Sequence, residues 1–341
     1  MGKQLYDYEN VTLKKDIYDN KQFIEGIFKN DAVFRIRDII AGANGRKAVI
    51  YYIDGMVNSA VINDSVVRPM MLYSESITDL SQIQKQILFT DDVSVKTSVK
   101  DMLKAILYGD TVLILDGEDE ALVINTKGFK TRGINEPEDE RVLQGPREGF
   151  LEAAMTNLSL LRRKLQTPDL CIELLSTGRR TQTAVFVCYL RSLADKKTVE
   201  NIKSQIKKID IDGVLDGNYI TEIINKNRFS FFKTAGSTER PDIAAARMLE
   251  GRIAIITDGS PVVYTVPYLF SENFQSDEDY YLNFTVSSLG RILRYICFII
   301  AIAVPGVFVA LTTHHASLLP TTFMMTVTRL RSGVPMSSVS E

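Results

Sequence analysis

Few residues in this chain are of a type and spacing that could do chemistry. The two histidines, His314 and His315, are adjacent and lie at the edge of an apolar stretch, where the simplest role is interfacial. The segment 41–47, AGANGRK, is the nearest approach to a phosphate-binding loop, but it precedes a strand pattern instead of opening a helix. The sequence contains no GxSxG, GxxxxGK[ST] or GxGxxG motif.

Three aspartates, Asp210, Asp212 and Asp216, lie close together in sequence and could suggest a metal site. Their spacing lacks the invariant positions of a calcium loop, and DIDGVLDGN is more simply a turn between two helices. We therefore predict that the chain is not an enzyme and has no catalytic residue, no cofactor and no metal.

The cysteines and the balance of charges exclude further kinds of site and partner. The three cysteines are Cys171, Cys188 and Cys297, and they form no CxxC or Cys/His pair. We therefore predict neither a disulfide framework nor a zinc site, and we expect all three side chains to be buried among apolar residues. Because 40 basic residues face 42 acidic ones, no nucleic-acid partner is expected. The basic runs 162–164 and 207–208 are predicted to be solvated helix faces.

One stretch is long and apolar enough to cross a bilayer. Residues 295–313 contain no charged side chain, and nineteen residues in a helix span roughly 28 Å, close to the ~30 Å hydrocarbon core. Pro305 and Gly306 predict a kink in the middle of the span. The segment 316–328 is also uncharged but shorter, which favours a partial re-entrant or half-helix element. The N-terminus has no apolar run for a signal peptide, so we expect a cytoplasmic head.

The sequence before the span contains an internal similarity. LYGDTVLILDGEDEALVI and LEGRIAIITDGSPVVYTV both predict a helix end, a strand, a tight turn and a second strand. Gly109 and Gly251 are expected to end their helices with positive φ. The Asp-Gly pairs 116–117 and 258–259 predict type I′ hairpin turns.

Other patterns complete the two units. Apolar runs at 48–53 and 184–190 predict buried strands. The run 196–209 has a helical apolar face. Between the units, Pro146 is expected in the first turn of an amphipathic connecting helix whose apolar stripe is Leu151, Ala154, Leu158, Leu161 and Leu165.

These patterns predict an α/β fold of two tandem related α/β subdomains joined by an amphipathic helix, followed by one transmembrane helix and a partial membrane element. The predicted boundaries are an N-terminal segment at 1–30, the first subdomain at 31–140, the connecting helix at 141–166, the second subdomain at 167–287, the transmembrane helix with its flank at 288–313, and the partial element with its tail at 314–341.

Three long motifs resemble the A-subunit family of bacterial spore germinant receptors, the GerA type. They are GPREGFLEAAMTNLSLLRRKL, STERPDIAAARMLEGRIAIITDGSPVVYTVPYLF and ENFQSDEDYYLNF. The resemblance implies a nutrient receptor of the spore inner membrane, involved in spore germination, with its head facing the cytoplasm or spore core. It also implies B- and C-type partner subunits, homo-oligomerisation through the A subunit, and an oligomeric ion channel in full-length relatives.

The resemblance also assigns residues. The GPREGF element, which includes Gly145, Pro146, Arg147 and Glu148, and the TERPD element, which is Thr238, Glu239, Arg240, Pro241 and Asp242, are expected to serve structure and subunit assembly. From the residue types, TERPD is a helix start: Thr238 caps, Pro241 fits the first turn and Asp242 complements the helix dipole. Arg240 is expected to form an ion pair with the connecting helix region, with Glu148 as the predicted partner.

The family continues through several more membrane helices, whereas this sequence stops at Glu341. The alternative interpretation is therefore a truncated, membrane-anchored scaffold or a non-functional remnant that binds partner subunits without conducting ions. Arginines flank the span on both sides, so charge does not decide the orientation: Arg291, Arg294, Arg329 and Arg331.

Overall fold

The computed structural model describes Tyr8, residues 11–129, 146–224, 233–276, Asp279, residues 281–313 and five scattered positions beyond them. The chain divides into two compact units, Met1–Phe270 and Ser271–Glu341. The predicted residues Gly145, His314 and His315, and most of 316–328, lie outside the described part.

The first half of the first unit begins with a helix and contains five strands. Its elements are α1 (Ile17–Ile27), β1 (Phe34–Ala41), β2 (Arg46–Ile53), α2 (Ser59–Val61) with a π-helical turn at Ile62–Val67, α3 (Arg68–Leu72), α4 (Leu80–Gln82) with a π-helical turn at Ile83–Ile87, β3 (Val93–Lys96), α5 (Val99–Tyr108), β4 (Thr111–Leu115) and β5 (Ala121–Ile124).

The second half repeats this plan. Its elements are α6 (Ala154–Lys164), β6 (Leu170–Thr177), β7 (Thr183–Leu190), α7 (Lys196–Lys207), α8 (Gly217–Ile224), β8 (Gly236–Thr238), α9 (Pro241–Leu249), β9 (Ile253–Thr257) and β10 (Val263–Val266). A short 3₁₀ helix, Phe270–Phe274, and the long helix α10 (Phe284–Thr313) follow.

Both halves have the same sheet topology. The strand orders are β1-β2-β4-β5-β3 and β6-β7-β9-β10-β8, and neighbouring strands pair antiparallel throughout. One buried cluster contains residues of both halves, among them Ile24, Met102, Leu161 and Met248, and each half has a second cluster of its own. The predicted pair of related α/β subdomains is confirmed, and the shared cluster makes them one compact unit.

The helix between the sheets starts later than predicted. Pro146 lies in a non-helical stretch, and α6 begins at Ala154. Leu158 and Leu161 are buried as expected, whereas Leu151 precedes the helix. By its place in the fold, α6 is the counterpart of α1, since each helix directly precedes the first strand of its sheet.

The glycine predictions are confirmed, but the turn type is not. Gly109 and Gly251 have φ of 102° and 90° where their helices end. Gly117 and Gly259 both have φ of 87°, yet neither Asp116 nor Asp258 is among the described residues with positive φ. A type I′ turn needs positive φ at both central residues, so these turns follow the type II pattern instead.

One predicted solvated residue is in the core. Arg162 has a side chain only 1% exposed and forms an ion pair with Asp31, whose side chain is equally buried. Arg163 and Lys164 behave more as predicted, since they are partly exposed and pair with Glu148. The prediction failed at Arg162 because its partner is 131 residues away in sequence.

The second unit contains α10, whose 30 residues include Pro305. Within the part of the chain that the structure describes, it is the one helix long and apolar enough to cross a membrane. It begins at Phe284, four residues before the predicted transmembrane helix with its flank at 288–313, and eleven residues before the charge-free run 295–313. The kink at Pro305 and Gly306 stays a prediction.

Candidate functional site

A hairpin turn holds the start of α1 in the first half. Asp116 Oδ1 accepts the Ile17 N–H at 3.4 Å, and the Gly117 N–H donates to Lys15 O at 2.9 Å. The buried Asn20 side chain accepts the Lys14 N–H at 2.9 Å and donates back to Lys14 O. The turn after β4 therefore holds the start of α1, together with the N-cap residue Asp16, whose side chain accepts the Tyr18 N–H at 2.8 Å.

The second half has the same arrangement. Asp258 Oδ1 accepts the Ala154 N–H at 3.0 Å, and the Gly259 N–H donates to Glu152 O at 2.8 Å. Asn157, fully buried, accepts the Leu151 N–H at 2.7 Å and donates to Leu151 O. These bonds satisfy backbone groups that a helix start leaves open, and they explain why α6 starts at Ala154.

Sequence reasoning found the Asp-Gly pairs but missed both asparagines. Asn20 and Asn157 are each the fourth residue of their helix. An asparagine inside a helix, at the same position in both halves, was the available signal, because this residue type normally disfavours helix interiors.

The two family motifs meet in the structure. The Phe150 N–H, at the end of the GPREGF element, donates to Glu239 O of the TERPD element at 2.7 Å. Within GPREGF, Pro146, Arg147 and Glu148 precede α6, with Arg147 exposed and Glu148 half-buried. The junction between these motifs is thus one place in the fold, here called the motif junction.

The TERPD element begins α9, with one difference from the prediction. Pro241 is the first helical residue and Asp242 lies in the first turn, as predicted. The N-cap residue is Arg240, whereas Thr238 ends β8 and accepts the Arg240 N–H on its hydroxyl at 3.1 Å. The prediction that Thr238 is the N-cap residue is wrong, because Thr238 is still the last residue of β8. Its hydroxyl instead binds the backbone N–H of the residue that is the N-cap, Arg240.

Arg240 and Glu148 have other partners than the predicted ones. The Arg240 side chain is fully buried, and its Nε and Nη2 donate to Asp242 at 3.2 and 2.7 Å. Glu148 pairs with Arg163 at 3.4 Å and Lys164 at 3.1 Å. The predicted ion pair between Arg240 and Glu148 is wrong, since each side chain finds an opposite charge within its own segment.

A second junction joins the halves. Beside the buried Arg162–Asp31 pair, the Ala32 N–H donates to Ile172 O at 2.8 Å, and the Ile172 N–H donates to Asn30 O at 3.2 Å. These bonds add a short parallel bridge to the edge of β6. Paired charges and backbone bonds therefore fix the loop before β1 against the second sheet.

Metal-ligating side chains do not cluster among the described residues. They contain no group of three or more His, Cys, Asp or Glu that could hold a metal ion. Asp210 pairs with Arg179 and Asp212 with Arg180, in the turn that joins α7 to α8. The interpretation of these aspartates as a turn is confirmed.

The cysteines offer no reactive thiol in the first unit. Cys171 and Cys188 are buried, as predicted, and this burial raises the pKa of both thiols. A raised pKa disfavours the nucleophilic thiolate. Cys297 has an exposed side chain, so the prediction that it is buried is wrong. It lies on the apolar helix α10, and not in the core of the first unit.

The segment before α10 folds back on the first turns of the helix. The Asp279 side chain is 1% exposed and accepts from Arg291 Nε at 3.0 Å and Arg294 Nη1 at 2.9 Å. The Ser287 hydroxyl donates to Asp279 O at 2.9 Å. Burial raises the pKa of the Asp279 carboxyl, but hydrogen bonds from Arg294, the Ser276 N–H and Arg291 outweigh it and hold that pKa below its ordinary value.

Aromatic contacts support the same arrangement. The Phe274 ring stacks on Tyr295 with centroids 4.2 Å apart and meets Phe298 edge-on at 5.0 Å. The Arg294 side chain also donates to Phe274 O at 3.0 Å. The Asp279 pairs and the Phe274 contacts, here called the elbow, tie the chain that enters α10 to its first four turns.

A duplicated α/β head followed by a candidate membrane helix defines the class of this protein. The model of the Bacillus/Clostridium GerA spore germination protein family matches residues 22–341, so the chain belongs to that family. The resemblance predicted from the motifs is confirmed.

Relatives support this assignment. The chain is 35% identical over 334 residues to spore germination protein KA of Bacillus subtilis (strain 168), covering 97% of this chain and 60% of the relative. It is 35% identical over 342 residues to the uncharacterized membrane protein YfkQ of the same organism, covering 99% and 66%. The chain therefore spans less than two thirds of the length of these relatives.

A solved structure shares the fold. The N-terminal domain of the A subunit of the Bacillus megaterium spore germinant receptor GerK3 superposes with a TM-score of 0.60 at 32% identity. The match covers 76% of this chain and 98% of that domain. The predicted fold class is confirmed by this likeness and by the two sheets described above.

Proposed function

We propose that the chain acts as the A subunit of a nutrient germinant receptor in the spore inner membrane. The observation that carries this proposal is the combination of a head similar to a germinant receptor A-subunit domain over 98% of that domain with a helix able to cross a membrane. In this proposal the head faces the cytoplasm or spore core and passes a signal to the membrane part.

The head would also bind the B- and C-type subunits. The motif junction is the proposed assembly surface, because the buried Thr238 and Arg240 and the half-buried Asp242 fix the start of α9 while Arg147 stays exposed beside it. A charged residue at the rim of an interface affects association more than folding. Arg147 is therefore the exposed residue of the junction that we expect to touch a partner.

Charge reversal at Arg147 tests this assembly role. Arg147→Glu should reduce severalfold the amount of B- and C-type subunits that co-purify with the detergent-solubilised chain. In this variant a negative charge replaces the positive charge that is proposed to complement the partner's surface. Arg180→Glu is the matched control, since Arg180 is 84% exposed on the turn after β6. Equal recovery of partners with both variants would count against the motif junction as the assembly surface.

The membrane part would contribute to an oligomeric ion channel, with copies of the A subunit associating with each other. A second candidate is a membrane-anchored scaffold that binds partner subunits without conducting ions, and it is favoured by the absence of any charged side chain in 295–313. Planar-bilayer recordings test the scaffold candidate. The 341-residue chain alone should give no conductance, and reproducible cation currents from it would remove the scaffold candidate.

A further inference from the structure

The first turns of α10 are apolar on one side and extend beyond what a span needs. The helix has 30 residues and is about 45 Å long, against ~30 Å for a hydrocarbon core. The charge-free run 295–313 is long enough to cross by itself. The preceding residues, 284–294, add about 16 Å that a straight crossing leaves outside the core.

The two sides of this extra segment differ. At about 100° per residue, Val286, Leu289, Ile292 and Leu293 fall within one arc of roughly 120°, and all four side chains are exposed. The arginines that pair with Asp279 and the buried Ser287 lie on the opposite side, under the elbow. One side is therefore covered by the protein itself, and the apolar side is open.

Charge decides what can cover the open side. In sequence, residues 271–294 contain four acidic residues and two arginines, and both arginines pair with Asp279. The segment has no excess positive charge to attract anionic headgroups. An apolar arc that is continuous with a membrane span fits the boundary between headgroups and acyl chains, where amphipathic helices place their apolar face.

We infer that residues 284–294 lie along the headgroup region of the bilayer as an interfacial anchor, with the Val286–Leu293 arc facing the acyl chains and the elbow facing water. Tilt of α10 brings its first turns closer to this layer, and transmembrane helices are tilted by about 20° on average. The occupant of the arc is lipid, held by apolar contact and not by anionic headgroups. This inference goes beyond the proposed receptor role, which requires only the span.

Tryptophan substitution tests the inference directly, because the chain contains no tryptophan. Leu289→Trp, Leu215→Trp and Ile299→Trp would each be made in the full chain and reconstituted into phosphatidylcholine nanodiscs. Leu215, in the turn before α8, is a matched control, since it is 71% exposed and Leu289 is 68% exposed. Ile299, within the charge-free run, reports the span itself.

The expected result is blue-shifted emission from Leu289→Trp relative to Leu215→Trp, protection from acrylamide, and quenching by lipids brominated near the headgroup end of the acyl chain. Replacing part of the lipid with phosphatidylglycerol should leave the emission of Leu289→Trp unchanged. Ile299→Trp should be quenched by bromines deeper in the acyl chain.

Three outcomes would overturn the inference. Acrylamide quenching of Leu289→Trp equal to that of Leu215→Trp would put the arc in water. Protection from acrylamide without bromolipid quenching would mean that a second copy or another protein covers it. A shift of its emission that depends on phosphatidylglycerol would contradict apolar attachment. Failure of Ile299→Trp to respond to deep bromines would instead remove the membrane location on which the proposed function rests.

Discussion

Breaking the ion pair between the two halves should destabilise the head more than any surface change. Asp31 and Arg162 each have side chains 1% exposed, so water screens neither charge. Asp31→Ala would leave the Arg162 guanidinium buried with its charge uncompensated, which costs roughly 3–5 kcal/mol of unfolding free energy. In a head of this size, that loss corresponds to a melting temperature roughly 10 °C lower.

The pair can be separated from ordinary packing by a double-mutant cycle. Arg162→Met combined with Asp31→Ala removes both charges and keeps much of the apolar volume, so it should cost less than Asp31→Ala alone. Urea unfolding of the head, residues 1–270, measures all variants, and Asp212→Ala serves as an exposed control. Two results would contradict a strong buried pair between Asp31 and Arg162. One is a loss of unfolding free energy below about 1 kcal/mol in Asp31→Ala, which is the range of an exposed pair. The other is a loss in the double variant equal to the sum of the losses in the two single variants.

Three further predictions follow from the local geometry. Asp258→Ala removes the side chain that accepts the Ala154 N–H and should destabilise the head by about 1 kcal/mol in urea unfolding; no change would mean that α6 does not depend on this bond. Gly251→Ala should lower the unfolding free energy more than Gly259→Ala does in the same assay. Both glycines have positive φ, but only at Gly251 would an added Cβ lie 2.9 Å from Leu193 O. Equal losses of unfolding free energy would assign the whole effect to the positive φ. The pKa of the Asp279 carboxyl is lowered in the folded state, so the stability that this carboxylate contributes is present above the ordinary pKa of 3.8 and is lost as pH falls through the lower folded-state pKa. The Ser276 amide should therefore stay protected from hydrogen exchange at pH 5, after correction for the intrinsic exchange rate. Loss of its protection at that pH would contradict the elbow.

Local sequence patterns were sufficient for the elements and for the duplication. Apolar runs predicted β2 and β7, and glycines at 109 and 251 predicted the ends of α5 and α9, because strand burial and positive φ leave direct marks on residue type. The candidate membrane helix was equally visible, although it starts at Phe284, four residues before the predicted 288. A run without charge marks the hydrocarbon span, whereas the first turns of α10 contain Arg291 and Arg294, whose charges Asp279 balances.

Contacts between distant segments could not be predicted in the same way. Arg162 was assigned to solvent because its neighbours in sequence are basic, yet Asp31 is its partner. Pro146 predicted the start of the connecting helix because proline suits a first turn. In the structure α6 starts at Ala154, where the side chains of Asp258 and Asn157 accept backbone N–H groups. Each error came from judging a polar side chain without the partner that folding brings to it.

In the proposed function, α10 crosses the membrane while the head stays on the inner side, and cysteine accessibility tests this arrangement most directly. Leu215→Cys adds an exposed thiol to a head whose own cysteines, Cys171 and Cys188, are buried. A membrane-impermeant maleimide should label this variant in inside-out vesicles and leave it unlabelled on intact cells, with the unsubstituted chain as the background. Labelling on intact cells would contradict the orientation, and recovery of the intact chain from the detergent-free soluble fraction would contradict the membrane span itself.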